Sequence, residues 1–184
     1  MAIETNIEDG VGEVVINNPP VNALGSQGWF DFAAAVKAMG ERDDVHCVVI
    51  RAEGKGFQAG VDIKELAADG AKIVDVNRGC YDSFAAVYDC PVPVISAVNG
   101  FCIGGGIGIS GASDIVSAAD DATFALPEIR SGTVADAASI KLPKRIPYHV
   151  AMEMLLTGRW MEARAKARAS SAVAPWPSCW TSGS

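Results

Sequence analysis

Two stretches of this 184-residue chain place bare backbone where a helix begins. "GKGFQAGVDIKEL" (54–66) and "AVNGFCIGGGIGISGASDI" (97–115) each read as a strand, a glycine-containing turn and a helix-like segment. Residues 101–115 alone hold five glycines and no charge before Asp114. Glycine weakens helices and strands, so a cluster of it marks a place where backbone must come close to something. Free N–H groups at the start of a helix point outward and carry partial positive charge. Two such starts facing each other aim two donors at one oxygen. That is an oxyanion hole, suited to a carbonyl that becomes an enolate or a tetrahedral anion. The glycines then let a ligand carbonyl reach the backbone without meeting a Cβ. For either stretch alone, tight helix–strand packing is the stronger reading of the same glycines.

The elements that must hold these segments alternate along the chain. "GEVVINN" (12–18) and "VHCVVIRA" (45–52) read as strands, the second apolar enough to be buried on both faces, with His46 inside it. Between them, 26–42 has Trp29, Phe30, Ala33, Val36 and Lys37 at helical spacing, with Ser26 as its N-cap. A second helix is expected over 73–90, ended by Pro91 and Pro93. "PVISAVNG" (93–100), "DIVSAA" (114–119) and "TFAL" (123–126) read as further strands. Strands alternating with helices indicate an α/β fold with parallel β content. No internal repeat is visible, and no linker before about residue 160.

Composition narrows the function. Hydrophobic residues make up 49% of the chain, which argues against intrinsic disorder. A net charge of −7 argues against a nucleic-acid partner. No charged residue lies between Cys90 and Ser113, long enough for a membrane span. The two prolines, Asn99 and six glycines inside that stretch instead favour a buried strand, loop and short helix. The acidic start lacks a basic n-region and an apolar h-region. The five cysteines (47, 80, 90, 102, 179) show no metal spacing. Reduced thiols in a cytoplasmic protein without a metal follow from that pattern.

The residues resemble the crotonase superfamily, the enoyl-CoA hydratase/isomerase proteins. "FQAGVDIKEL" is similar to that family's FxAGxDxxE/L segment, and "VNGFCIGGGIGI" to its NGxxxGGGxxL segment. "ATFALPEIRSGTVAD" resembles its AxFxxPExxxGxxPD stretch, and "AMEMLLTGR" a helix before its C-terminal part. The four segments run in order to about Met161. The resemblance implies a crotonase (ClpP-like) spiral of ββα units and a CoA thioester substrate, with no separate cofactor. It places the thioester oxygen between the N–H groups of Val61 and Gly105. Substrate contacts are implied at Ala23, Ala59, Gly60, Asp62, Ile63, Gly104 and Gly108. Family members assemble as homotrimers or dimers of trimers.

Hydration in this family uses two carboxylates, one following the GGG run and one in the PE pair. The second is implied at Glu128; the first position falls on Gly108, which has no side chain. Adding water across an enoyl double bond usually uses two groups to hold the water and shuttle its proton. The resemblance therefore implies one acid/base, Glu128. Asp136 is the second candidate, because a nearby aspartate is the nucleophile of the crotonase-like aromatic dehalogenases. Equally, "DAASIKL" reads as a helix N-capped by Asp136. One carboxylate suits an isomerase that moves a double bond, or a hydrolase that opens a ring ketone while the hole keeps the enolate. The first part of the chain resembles the members that open a steroid-derived ring. After Glu128 the likeness shifts to carnitinyl-CoA dehydratase-like members.

The end of the chain departs from the pattern. From Arg159 onward the net charge is +3, against −10 for residues 1–158, and three of the four tryptophans lie there. Residues 162–184 are rich in Ser, Ala and Pro and lack a helical apolar period. A core of 1–161 is expected, followed by a tail that reads as a frameshift or truncation, without the C-terminal helices that close the CoA site and build the trimer. A truncated CoA-binding product without turnover is the alternative, and it predicts an exposed apolar surface.

Overall fold

The computed structural model describes residues 2–163; the tail beyond Ala163 lies outside the described residues. A five-stranded sheet has the order β1-β2-β3-β4-β6, built from β1 (Ile3–Glu8), β2 (Val11–Ile16), β3 (Cys47–Ala52), β4 (Val94–Val98) and β6 (Ile115–Ala118). The first pair is antiparallel and the other three are parallel. The parallel steps need crossovers. Helices α1 (Ser26–Gly40), α3 (Ile73–Tyr88) and α4 (Gly105–Ala112) lie in them, and the short α2 (Ile63–Ala68) precedes α3. A second sheet, β5-β7-β8, joins β5 (Phe101–Ile103) parallel to β7 (Thr123–Ala125) and β7 antiparallel to β8 (Met161–Glu162). Helices α5 (Asp136–Lys141) and α6 (Tyr148–Thr157) complete the chain.

The core lies between the main sheet and α1 and α3. Val14, Ile16, Val48, Ile50 and Val94 of the sheet and Trp29, Phe32, Val36, Val76 and Phe84 of the two helices belong to one buried cluster. On α1 the buried stripe is Trp29, Phe32, Ala33, Val36 and Met39, while Phe30 is half-buried and Lys37 exposed. Steps of three and four residues track the 3.6-residue turn, so Phe32 takes the inward place expected for Phe30. Contact between α1 and α3 is close because position 79 is glycine. A Cβ there would stand 2.8 Å from Trp29 Cβ. Beside it, the buried Ser83 hydroxyl donates to Trp29 O at 2.8 Å.

Three local expectations are corrected. Gly25, not Ser26, stands at the N-cap of α1; Ser26 is its first helical residue and is bonded to Glu65 instead. Helix α5 begins at Asp136 itself, with Ala135 at its N-cap. His46 is exposed, just before β3 begins at Cys47. Strand β1 was not legible in the sequence, because its burial is that of an edge strand, with only Ile3 fully buried. The available signal was Asp9-Gly10, whose positive φ values of 49° and 81° form the two-residue turn into β2.

Candidate active site

The two glycine segments meet. Leu24 bridges Val61: the Leu24 N–H donates to Gly60 O at 3.0 Å, and the Asp62 N–H donates to Leu24 O at 2.9 Å. In a parallel ladder the residue between the two partners turns its own N–H to the opposite side. Val61 therefore directs its N–H away from Leu24. On the other arm, Gly104 (φ 55°) stands at the N-cap of α4 and Gly105 is its first residue. A Cβ on Gly60 would lie 3.5 Å from the Gly105 nitrogen, so the arms touch along their backbones. Among the described residues, neither the Val61 nor the Gly105 N–H has a backbone acceptor. Both glycines of the contact, Gly60 (φ 88°) and Gly104, occupy the left-handed region that side chains disfavour.

Glu128 arrives from the second sheet. It follows β7 in a 3-10 turn, Pro127–Ser131, whose backbone is pinned because Thr133 N–H and Ser131 Oγ–H both donate to Glu128 O. The carboxyl sits beside Gly104: a Cβ there would be 2.9 Å from Glu128 Oε1. The other oxygen, Oε2, is buried without a hydrogen-bond partner among the described residues. Burial pushes the carboxyl above the usual carboxylate range, against a smaller opposite pull from its own backbone. A half-buried carboxyl with spare acceptor capacity and a raised pKa has the chemistry of a group that takes and returns a proton.

The side chains behind α4 account for the other glycines. A Cβ on Gly105 would come 2.5 Å from Trp29 Cη2, and one on Gly108 would come 2.3 Å from Phe84 Cζ. The Trp29 and Phe84 rings pack edge-to-face with centroids 5.9 Å apart. What stays open beside Gly108 is a gap of about 10 Å³ lined in part by Ala137, Ala138 and Lys141. That is at the lower limit for one water. So at 105 and 108 the packing reading of the glycines holds, and the close approach to chemistry is at 60 and 104.

The remaining predicted positions frame the two arms. Ala23 precedes the Leu24 bridge, and its carbonyl accepts from Asn18 Nδ2 at 2.7 Å. Ala59 and Gly60 lead into Val61. Asp62 caps α2 by accepting from the Lys64 N–H at 2.9 Å, and Ile63 is 76% exposed beside it. Asp136 opens α5, whose next residues line the gap at Gly108. Glu65, which sequence reading passed over, ties α2 to α1 by accepting from Ser26 N–H at 2.7 Å and Ser26 Oγ–H at 2.8 Å. A separate cavity of about 240 Å³ is lined by Ser110, Phe124, Arg145, Met154 and others, and holds neither Glu128 nor Val61. Among the described residues no group of three His, Cys, Asp or Glu could hold a metal ion, and no helix is long and apolar enough to cross a membrane.

The Gly60–Gly105 backbone contact, with a Glu128 carboxyl oxygen buried beside Gly104, lies on a fold shared with a known class of protein. Residues 6–169 match the enoyl-CoA hydratase/isomerase family, and the chain belongs to it. It is 50% identical over 158 residues to the (7aS)-7a-methyl-1,5-dioxo-2,3,5,6,7,7a-hexahydro-1H-indene-carboxyl-CoA hydrolase of Rhodococcus jostii, covering 85% of this chain and 60% of that protein. It is 35% identical to the carnitinyl-CoA dehydratase of Citrobacter koseri over 153 residues, 82% of this chain and 59% of the other. The human enoyl Coenzyme A hydratase domain-containing protein 3 superposes with a TM-score of 0.85 at 27% identity, over 91% of this chain and 68% of that one. The chain thus spans about three fifths of the length of these two curated relatives. An indene-carboxyl-CoA hydrolase and a carnitinyl-CoA dehydratase are both among the relatives, in line with the two resemblances read from the sequence.

Proposed function

We propose that this protein hydrolyses a carbon–carbon bond in a cyclic β-diketone carried as a CoA thioester. The observation that carries the reading is the Glu128 carboxyl beside Gly104, one oxygen of which is buried without a partner, at the start of α4 where the backbone of Gly60 touches that of Gly105. The thioester oxygen is assigned to those two donors. Ala23, Ala59, Asp62 and Ile63 frame the thioester's approach along the first arm. Glu128 takes a proton from a water whose oxygen attacks the ring ketone carbon. The bond between that carbon and the thioester α-carbon then breaks. Its electron pair moves onto the thioester oxygen as an enolate, which the two N–H groups hold. Glu128 returns the proton to the α-carbon, so one water is added and the ketone becomes a carboxylic acid. Asp136, at the start of α5, is assigned an assisting role. The 50% identity to a hydrolase of an indene-carboxyl-CoA thioester supports a cyclic substrate.

A second reading, movement of a double bond in a 3-enoyl thioester, is favoured by the closed face at Gly108. One carboxyl suffices to lift a proton from one carbon and return it two carbons away. The test is turnover of crotonyl-, 3-enoyl- and cyclic β-diketone-CoA by the 184-residue chain and by its Glu128→Gln variant. Ring opening of the diketone, reduced 10²–10⁴-fold in the variant, is the expected result, about what one general acid/base contributes. Turnover of the 3-enoyl thioester alone selects the isomerase. Hydration of crotonyl-CoA overturns the one-carboxylate chemistry.

A further inference from the structure

The two arms of the site are joined through one residue of the first, Gln58. Gln58 is fully buried, a long polar side chain in the core. Such a group is costly unless both ends of its amide are satisfied. Here both ends go to a single residue. The Gly60 N–H donates to Gln58 Oε1 at 2.7 Å, and Gln58 Nε2 donates to Gly60 O at 2.8 Å. This two-point clamp closes on the peptide units either side of Gly60, the second of which carries the Val61 N–H. It holds a glycine at φ 88°, a residue type with more freedom to lose than any other.

The backbone of Gln58 reaches the other arm. Gln58 bridges Cys102, and the Ile103 N–H donates to Gln58 O at 2.8 Å, two residues before Gly105. A Cβ on Gly106 would meet that same carbonyl oxygen at 2.8 Å, so α4 begins tight against it. The side chain of Gln58 therefore sets the first donor while its main chain sets the second. Other polar side chains around the arms act differently: Asp62 caps α2, and Asn22 donates to Glu53 O and Gly56 O.

The geometry points to Gln58 as the positioning residue of the oxyanion hole, its amide fixing the Val61 N–H against the Gly105 N–H. The assignment rests on the reading of those two N–H groups as donors to a thioester oxygen. Gln58 does not itself touch the substrate. It acts by holding one donor within the narrow range in which two hydrogen bonds to the same oxygen form.

Binding separates this role from a structural one, without any need for turnover. Affinity is measured by calorimetry for butyryl-CoA and for the matching butyl-CoA thioether, which lacks the carbonyl. The full chain is compared with its Gln58→Met and Glu128→Gln variants. Methionine keeps the volume and removes both hydrogen bonds. Wild type and Glu128→Gln are expected to bind the thioester at least 10-fold tighter than the thioether. In Gln58→Met that preference is expected to fall to within about 3-fold, with thioether affinity unchanged. Where a cyclic diketone thioester is turned over, kcat drops about 10²-fold, the size of one lost oxyanion donor, and KM rises by no more than the loss of thioester affinity. A Gln58→Met protein that keeps the full preference overturns the inference. A wild type with no preference overturns the oxyanion-hole reading itself. Should Gln58→Met not fold, Gln58→Glu, which keeps the acceptor for Gly60 N–H, is judged by the same two affinities.

Discussion

At the residue scale the proposed chemistry depends on one carboxyl whose surroundings oppose its charge. Glu128 has a buried, unpartnered oxygen, and desolvation raises its pKa. The folded state therefore binds its proton more tightly than the unfolded chain does. The stability that Glu128 contributes is fully present below the unfolded pKa and is lost as the pH rises through the raised folded value. Glu128→Gln, which cannot ionise, escapes that loss. Its denaturation midpoint is expected to match wild type in acid and to exceed it at neutral pH. Equal midpoints at both pH values would show that the carboxyl carries no desolvation penalty. On the proposed chemistry activity follows the opposite direction, because Glu128 must be ionised to act as the base: kcat is expected to rise with pH through the same raised value. By the same cause, burial lifts the Cys80 thiol to about 12, which leaves it without thiolate character at neutral pH.

At the element scale, α4 is shaped by its packing as much as by its ligand. The Phe84 ring of α3 fills the place into which a side chain at 108 would project, and Trp29 of α1 does the same at 105. A second acid/base group on this face of α4 therefore has no room while Phe84 stands there. Overpacking of this kind costs about 1–3 kcal/mol. Gly108→Ala is expected to destabilise the chain by about that amount. In the Phe84→Leu background the penalty shrinks, with a coupling of at least about 0.5 kcal/mol in a denaturant double-mutant cycle. Strict additivity would mean that the ring yields freely. The sequence shows that position 108 lacks a carboxylate, but residue 84 gave no sign of involvement. The two lie 24 positions apart, and only the packing of α3 on α4 brings them together.

At the scale of the whole molecule, apolar surface remains open along the far edge of the main sheet. Strand β6 pairs only with β4 among the described residues, and Ile115 and Val116 are 55% and 45% exposed. Val134, Ile140, Leu156 and Trp160 add to the exposed apolar surface elsewhere. An open apolar edge is a template for association. Sedimentation velocity of the 184-residue chain is expected to show mass rising with concentration, and Ile115→Lys to suppress it. A monomer with unchanged behaviour in the variant would show that this edge is covered. The tail expected over residues 162–184 lies, beyond Ala163, outside the described residues.

What the sequence determined by itself is what depends on neighbours in the chain. Glycine turns after apolar strands, the helix expected over 73–90 and found over Ile73–Tyr88, and the Pro127-Glu128 pair could all be read from local composition and spacing. These features follow from backbone sterics and from the 2.0 and 3.6 periods, which a short window contains. The tertiary structure decided which atoms occupy the space around each glycine. Nothing near residue 105 names Trp29, nothing near 108 names Phe84, and nothing near 58 shows that its carbonyl would accept from the Ile103 N–H. Dense packing lets each such space hold one occupant. The winner is set by contacts between elements far apart in sequence, and those contacts determine whether a bare backbone N–H meets a ligand or another side chain.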